Sequence, residues 1–332
     1  MSYRCSNQNC TNSSAIIPDE AAEKLEHKCF MCEAVLVRPQ VTLEAMLEKV
    51  DTLPVALQIL PRLKVLLSGE NYTIDDIITV TQTDAALVTQ IIKISNSSIY
   101  VMPDSAFCST LDEALNRIGL NTAYQAVGYV AAKQIFQQDM SIYGMSGFDL
   151  WEISVRSAIM MQQLAPRMEV SSESYECPDM HTAYTVGLLH PIGKMLISHY
   201  HQIDQIPELL DVQPPLTTEK EKEILGFNHL DAALALMRKW NFLDEIITPI
   251  VHQEHPQTSK GDRPLVALLH VVVEAVKQFP LQPPLTIEKV TKEYRADPDL
   301  LAVVGLARSD LVNELIASGT ECSNLMSTLG TG

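Results

Sequence analysis

The chain has few residues of the kinds on which β-sheet proteins depend. Aromatic residues make up only 6% of its 332 residues, and there are 13 glycines. Sandwiches and barrels need aromatic and β-branched strands joined by glycine-rich turns, so this shortage favours an all-α protein. The hydrophobic fraction of 46% is ample for a sizeable core.

Long apolar runs are missing as well. No stretch approaches the roughly 18 consecutive apolar residues of a membrane span. The opening residues Met1 to Cys5 do not lead into the apolar segment of a signal peptide. We therefore expect a cytoplasmic protein with no membrane partner.

Basic residues are scarce relative to acidic ones. There are 24 Lys and Arg against 41 Asp and Glu, which gives a net charge of −17. Nucleic-acid affinity depends on cations that neutralise phosphates, so we expect no nucleic-acid partner. The sequence also contains no glycine-rich phosphate loop, which argues against an ordinary nucleotide-binding fold.

Cysteines, by contrast, are concentrated at the start of the chain. Four of the seven are Cys5, Cys10, Cys29 and Cys32. Two short cysteine loops separated by about 15–20 residues are typical of a four-cysteine zinc site. Residues 1–40 therefore predict a zinc-ribbon-like knot in which structural zinc supplies the folding free energy.

Two alternatives remain for this segment. The four cysteines could be free thiols in a loose tail, and His27 could replace one of them as a ligand. The segment has nearly balanced charge and lacks a basic surface, so a protein contact is the partner we expect for it.

Residues 41–140 have the apolar periodicity of short helices. Thr73 with Asp76 and Thr110 with Glu113 fit helix-starting capping boxes, and Gly119 fits a helix C-terminus. Connections are short, as in a compact helical bundle.

An ordered set of motifs in this region resembles the HDOD domain, an all-helical bacterial signalling domain related to HD phosphohydrolases. The motifs are Leu53-Pro54, Thr83-Asp84-Ala-Ala-Leu87, Ile94-Ser-Asn96-Ser97 and Glu113-Ala-Leu-Asn-Arg117-Ile-Gly119. The resemblance covers about 41–278 and implies two helical lobes, 41–140 and 148–278. We expect structural roles for Asn96 and Arg117.

The second lobe contains a departure from the pattern of the enzymes. The run from Gly187 to Lys194 resembles the family's Gly-Leu-Leu-His-Asp-Ile-Gly-Lys, but Pro191 replaces the aspartate. Ile153 stands where relatives have a histidine. The resemblance implies that both replaced residues would be metal ligands in an enzyme. Proline should also end the helix here.

Three residues remain as a vestigial HD site, and we assign no catalytic residue. They are His190, His229 and Glu274. We expect His190 to be a hydrogen-bonded core histidine. Gln253 and Glu254 fall where relatives have a histidine pair.

Residues 279–332 predict a C-terminal helical extension after a linker containing Pro280, Pro283 and Pro284. Two helices, 285–294 and 300–316, are expected to pack on the HD-like lobe. The small polar stretch from Ser318 onward is expected to fray.

Two functions follow as hypotheses. The first is a non-catalytic signalling protein, a pseudoenzyme that acts as a scaffold or sensor through protein partners or a small-molecule signal. The alternative is a metal-dependent HD-type phosphohydrolase acting on nucleotides or cyclic nucleotides. The missing ligands at Ile153 and Pro191 favour the first.

Overall fold

The structure is a computed structural model of the whole chain. It describes residues 2–7, 9–11, 17–37, 41–50, 55–67, 73–97, 99–101, 106–136, 138–169, 179–210, 212–257, 263–281 and 285–329. The Leu53-Pro54 motif, Pro283 and Pro284 lie outside these residues.

The N-terminal segment contains a small antiparallel sheet and one short helix. Strands β1 (Ser2–Cys5), β2 (Ile17–Pro18) and β3 (Leu36–Val37) are arranged in the order β2-β1-β3. Helix α1 (Asp19–Lys24) follows β2. The segment has its own apolar cluster, formed by Tyr3, Cys5, Ile17, Ala22, Cys29 and Leu36.

The rest of the described chain is helical, as the composition predicts. The predicted first lobe contains α2 (Leu43–Glu48), α3 (Val55–Leu67), α4 (Ile74–Thr81), α5 (Ala85–Ser95), α6 (Leu111–Ile118) and α7 (Leu120–Phe136). The predicted second lobe contains α8 (Gly147–Leu164), α9 (Met180–Leu189), α10 (Ile192–Asp204), α11 (Thr218–Leu225), α12 (His229–Lys239), α13 (Asp244–Val251) and α14 (Arg263–Gln278). The extension contains α15 (Ile287–Glu293), α16 (Pro298–Val304) and α17 (Arg308–Leu329).

One apolar core runs through all three helical regions. It extends from Met46 in α2, through Leu189 in α9, to Leu325 in α17. Burial of this core is the main driving force for folding. Among the described helices, none combines the length and the apolarity that a bilayer crossing requires.

Local signals in the first lobe form the predicted elements. Thr73 and Thr110 cap α4 and α6 in complete capping boxes with Asp76 and Glu113. Gly119 ends α6 with a φ of 77°, a conformation that costs other residues energy.

Asn96 and Arg117 brace the segment that precedes α6. The Asn96 amide exchanges two hydrogen bonds of 2.8 Å with the backbone N–H and C=O of Cys108. Arg117 donates to the Ser95 carbonyl at 3.2 Å, to Asn96 Oδ1 at 3.3 Å and to the Ala106 carbonyl. The structural role expected for both residues is confirmed.

The end of the chain differs from the expectation. The prediction of a single helix over 300–316 is wrong. Gly305 adopts a left-handed conformation with a φ of 65° and separates α16 from α17. Fraying from Ser318 was wrong as well, since α17 continues to Leu329. Ser318, Cys322 and Leu325 recur at helical spacing and are buried.

Helix α17 packs against α8 of the second lobe, as expected, and also against α5 of the first. The extension therefore spans both lobes. Its small residues permit this close packing, because bulkier side chains at the same positions would meet the core.

Candidate functional site

The four N-terminal cysteines meet at one point. Cys5 ends β1, and Cys10 lies in a turn closed by its N–H to the Asn7 carbonyl at 3.0 Å. Cys29 and Cys32 lie in a second turn, closed by the Glu33 N–H to the Cys29 carbonyl at 2.8 Å. Strand pairing between β1 and β3 sets these two turns side by side.

The spacing of the four sulfur atoms suits one tetrahedral ion. All four Sγ atoms lie within 4.8 Å of one another, with 3.3 Å between Cys5 and Cys32 and 3.8 Å between Cys10 and Cys29. Zinc–sulfur bonds of about 2.3 Å place tetrahedral sulfurs roughly 3.8 Å apart. The cluster could therefore hold a metal with protein ligands alone.

The backbone prepares this cluster for thiolates. Hydrogen bonding by the Met31 backbone is the largest influence on Cys29 and lowers the pKa of its thiol to about 7. Burial and then the crowding of the other thiols raise the pKa of Cys5 to about 12. A metal ion would relieve this conflict, because it stabilises all four thiolates.

The His190-Pro191 pair lies between two helices. Helix α9 ends at Leu189 and α10 begins at Ile192, so the predicted break at the proline is confirmed. His190 is 4% exposed, and its Nδ1 donates to the Gly187 carbonyl at 2.7 Å. The hydrogen-bonded core histidine is confirmed, and burial lowers its pKa to about 3.

The two glycines of this motif allow backbones to approach closely. A Cβ on Gly187 would lie 2.7 Å from the Cα of Ala158 in α8. A Cβ on Gly193 would lie 1.7 Å from the His229 carbonyl oxygen. Both contacts exclude larger residues, and the second holds the start of α12 against α10.

His190, His229 and Glu274 line one cavity of about 330 Å³. Ile153 and Pro191 line it too, in agreement with the positions that the family resemblance gave them. Within the part of the chain that the structure describes, only the four cysteines form a group of three or more potential metal ligands within 4.8 Å. The three predicted residues therefore share a cavity without converging as ligands.

His229 is held between two carboxylates. Its Nδ1 lies 2.7 Å from Glu221 Oε2, which also accepts from the His229 backbone N–H at 2.8 Å. Its Nε2 lies 3.3 Å from Glu254 Oε1. The two carboxylates therefore flank the ring, one at each nitrogen.

Both carboxylates have further partners. The Tyr143 hydroxyl donates to Glu221 Oε1 at 2.6 Å, and burial followed by the Glu221 charge raises the pKa of Tyr143 well above its usual value. Thr218 donates to Glu254 Oε2 at 2.7 Å. Burial opposes the charge on Glu254, but His229, Thr218 and Lys194 together lower its pKa to about 2.

Sequence reasoning missed three members of this network: Tyr143, Lys194 and Glu221. Lys194 stands over the Tyr143 ring, 5.3 Å from its centroid, and burial and then Lys277 lower its pKa. Glu221 is fully buried although it lies in an acidic and basic run that resembles a solvated helix face. Only tertiary packing distinguishes it from its neighbours.

Comparison with known proteins identifies relatives of the helical region. The family model described as "HDOD domain" matches residues 53–256, more than half of the chain. An "Uncharacterized protein" from Treponema pallidum (strain Nichols) is 23% identical over 229 residues, or 66% of this chain. The chain spans 41% of the length of that relative.

Solved structures share the same fold. A "Putative signal transduction protein" from Marinobacter aquaeolei VT8 matches with a TM-score of 0.61 and 21% identity, over 95% of this chain and 66% of that one. A "Putative phosphohydrolase" from Shewanella amazonensis SB2B matches at 0.58 and 18%, over 88% and 99%. An "HDOD domain protein with unknown function" from Geobacter sulfurreducens matches at 0.57 and 16%, over 87% and 96%. At such low sequence identity the similarity shows a shared fold and does not show a shared activity.

Proposed function

Because the chain belongs to the HDOD domain family, we propose that it is a non-catalytic regulatory protein that works by binding protein partners. In this proposal the helical lobes and the N-terminal four-cysteine segment form the binding surfaces, and the HD-like cavity performs no hydrolysis. The observation that carries the proposal is that Ile153 and Pro191, whose side chains cannot bind a metal, line the cavity beside His190, while Glu254 and Glu274 in the same cavity already have protein partners.

Hydrolytic HD chemistry would need carboxylates free to bind a metal and activate its water. Three glutamates line the cavity: Glu219, Glu254 and Glu274. Glu254 accepts from Thr218 and contacts His229, which also bonds the buried Glu221. Glu274 is paired with Lys277 at 3.1 Å. A cation that bound Glu254 or Glu274 would have to compete with these contacts.

The residues beside His190 support the same proposal. Ile153 and Pro191 have no side-chain donor atom, and both line the cavity next to the histidine. Lys194 adds a positive charge that opposes the entry of a dication. The alternative, a phosphohydrolase, draws support from the likeness to the Shewanella protein, but it needs metal ligands at the positions that Ile153 and Pro191 occupy here.

We propose that the four N-terminal cysteines bind a zinc ion. Four thiolates with no open position make a structural site, since a catalytic zinc keeps one position for water. The exposed Phe30 and Met31 lie between Cys29 and Cys32, so the metal would hold an apolar tip in a fixed place for a protein partner. The net charge of −17 disfavours nucleic acid as that partner.

A hydrolysis assay tests the non-catalytic assignment. The full chain would be incubated with Mg²⁺, Mn²⁺ or Fe²⁺ and with 4-nitrophenyl phosphate, bis(4-nitrophenyl) phosphate and a panel of nucleotides. We expect no turnover above a heat-denatured control. Turnover that is lost in a His190→Asn variant would establish the phosphohydrolase instead.

A binding comparison tests the partner assignment. Cross-linked complexes of the full chain would be compared with those of a Cys29→Ser variant in its native host. Cys108→Ala serves as the matched control, because Cys108 is a buried cysteine outside the knot. We expect specific protein cross-links with the parent and the control that Cys29→Ser weakens. Identical cross-links in all three would remove the knot from the binding surface.

A further inference from the structure

The cavity beside His190 is lined by side chains whose hydrogen bonds to the protein use only one of their polar atoms. Its volume of about 330 Å³ is at the lower end of the range of small-molecule sites, about 300–1,000 Å³. The remaining polar atoms of these side chains are open to a ligand that enters the cavity.

Two of these acceptors belong to buried residues that line the cavity. The Nδ1–H of His190 is used by the Gly187 carbonyl, which leaves a lone pair on Nε2 of the neutral ring. Gln253 is 8% exposed, and its Nε2 donates to the carbonyls of His190 at 2.9 Å and Ile250 at 3.0 Å. These bonds fix the orientation of the amide, and its Oε1 has no partner among the described residues.

A third acceptor has the same arrangement. His270 Nδ1 donates to the Gln253 carbonyl at 2.7 Å, so the lone pair of its ring also lies on Nε2. His190, Gln253 and His270 all line the cavity. The tautomer of each histidine is set by a backbone carbonyl, which leaves each Nε2 able to accept a hydrogen bond from a ligand.

Lys194 supplies the charge. Its ammonium lies over the Tyr143 ring, and within the described ranges it has no hydrogen bond or ion pair. Glu219, Glu254 and Glu274 line the cavity too, and Glu254 and Glu274 have His229 and Lys277 as partners. Glu254 and Glu274 offset part of the Lys194 charge from a distance, but its half-buried ammonium has no direct ion pair in the described ranges and can therefore bind an anion.

A metal ion does not fit this set of groups. The histidine and carboxylate atoms of the cavity do not form a group of three within 4.8 Å in the described part of the chain, and Lys194 would repel a dication. These groups suit a ligand that carries one negative charge and several hydrogen-bond donors and that fits a cavity of about 330 Å³.

We propose that the cavity binds a small hydroxylated anion, a sugar-sized phosphate ester or carboxylate. Its charge pairs with Lys194, and its hydroxyl groups donate to His190 Nε2 and Gln253 Oε1. This inference rests on the proposed regulatory function, in which such a ligand would be the signal that the protein senses.

Isothermal titration calorimetry on the full chain tests this inference. The probes are ribose 5-phosphate, ribonate, inorganic phosphate and ribose, so that the charge and the hydroxyl groups are supplied together or separately. We expect ribose 5-phosphate or ribonate to bind at least about tenfold more tightly than phosphate or ribose, because each of the latter satisfies only half of the site. The tighter of the two identifies the phosphate ester or the carboxylate.

Variants locate the binding. Lys194→Gln should weaken binding of the tighter probe by about tenfold or more, since charge-assisted hydrogen bonds are roughly twice as strong as neutral ones. Lys194→Arg should retain most of it. Lys222→Gln makes the same charge change on the exposed face of α11 and should bind as the parent does. Circular dichroism melting of each variant verifies that it is folded.

Two results would overturn the inference: no binding of either hydroxylated anion at about 10 mM, or equal binding by the parent and Lys194→Gln. Neither result affects the proposed regulatory function, which fails separately if the protein hydrolyses the bound ribose 5-phosphate and releases phosphate. Binding without release supports both.

Discussion

His190 lies in the motif that resembles the HD pattern, and its ring makes contacts within the core. Its ring is buried, its Nδ1 is bonded to the Gly187 carbonyl, and burial lowers its pKa to about 3. A pKa near 3 favours the neutral ring at neutral and mildly acidic pH. This neutrality has a measurable consequence for stability.

We predict that His190 makes the protein less stable at mildly acidic pH. The unfolded chain takes up the proton near the ordinary pKa of 6.5, whereas the folded chain does so only near 3. Between these values the unfolded state binds more protons, so the free energy of unfolding falls as the pH falls.

The His190→Asn variant isolates this contribution, because its amide can still donate to Gly187 and does not titrate. Urea unfolding at pH 7 and pH 5 should show that the parent loses about 2 kcal/mol more than the variant. His181, His199 and His201, whose pKa values are also lowered mainly by burial, remain in both proteins. Equal losses in parent and variant would mean that His190 is accessible to protons in the folded state.

Asn96 is a second residue with a testable structural role. We predict that Asn96→Ala costs about 1–3 kcal/mol, because it leaves the Cys108 peptide group without either partner. Asn116→Ala is the matched control, since Asn116 bonds only on the exposed face of α6 and should cost less than about 0.5 kcal/mol. Chemical denaturation of both variants measures the difference. Similar small losses would remove the bracing role.

At the scale of single residues, the sequence predicted the features that depend on neighbouring residues in the chain. The capping boxes at Thr73 and Thr110 and the helix break at Pro191 depend on neighbouring residues and are confirmed. Glu221 and Tyr143 meet across a long separation in the chain, and neither has a local signal. Their roles follow from packing, which a single sequence does not reveal.

Among the elements, α8 connects the second lobe to the extension through a buried ion pair. Arg156 is fully buried and donates to Glu152 at 2.9 Å, to the Phe279 carbonyl at 2.7 Å and to the Leu315 carbonyl at 3.4 Å. Glu152 also accepts from the Leu281 N–H at 2.9 Å. The pair thus joins α8 to the end of α14 and to α17.

We predict that Glu152→Ala destabilises the protein by about 3–5 kcal/mol, because it leaves the Arg156 charge buried without a partner. The double change Glu152→Met and Arg156→Met should cost less than Glu152→Ala alone, since it removes both charges. Arg238→Ala, which breaks an exposed pair with Asp244, should cost no more than about 1 kcal/mol. Urea denaturation compares the three, and a double variant as unstable as the single would contradict the argument.

In the C-terminal extension, the helix boundaries were harder to predict from the sequence than in the two lobes. Residues after Ser318 are small and polar, a composition that suggests fraying. In the structure their small size allows α17 to lie close to α8, where Ser318 and Cys322 are buried. Composition alone does not reveal that another helix offers a surface for them.

On the scale of the whole molecule, the helical region and the knot are stabilised in different ways. The helical region has one continuous apolar core, whereas the knot's cluster consists of few residues and includes two of the four cysteines. Our proposal of a structural metal implies that a segment this small depends on that metal for stability. The family membership and the all-α fold were predictable because they rest on motifs spread over most of the chain; the boundaries 1–40, 41–140, 148–278 and 279–332 stay predictions.

Metal analysis of the purified full chain tests the central claim that the protein holds a structural metal in the knot and none in the HD-like cavity. We predict about one zinc per chain, lost in Cys29→Ser or Cys32→Ser and retained in Cys108→Ala and His190→Asn. A second metal ion per chain that disappears in His190→Asn, or zinc content unchanged by Cys29→Ser, would contradict it.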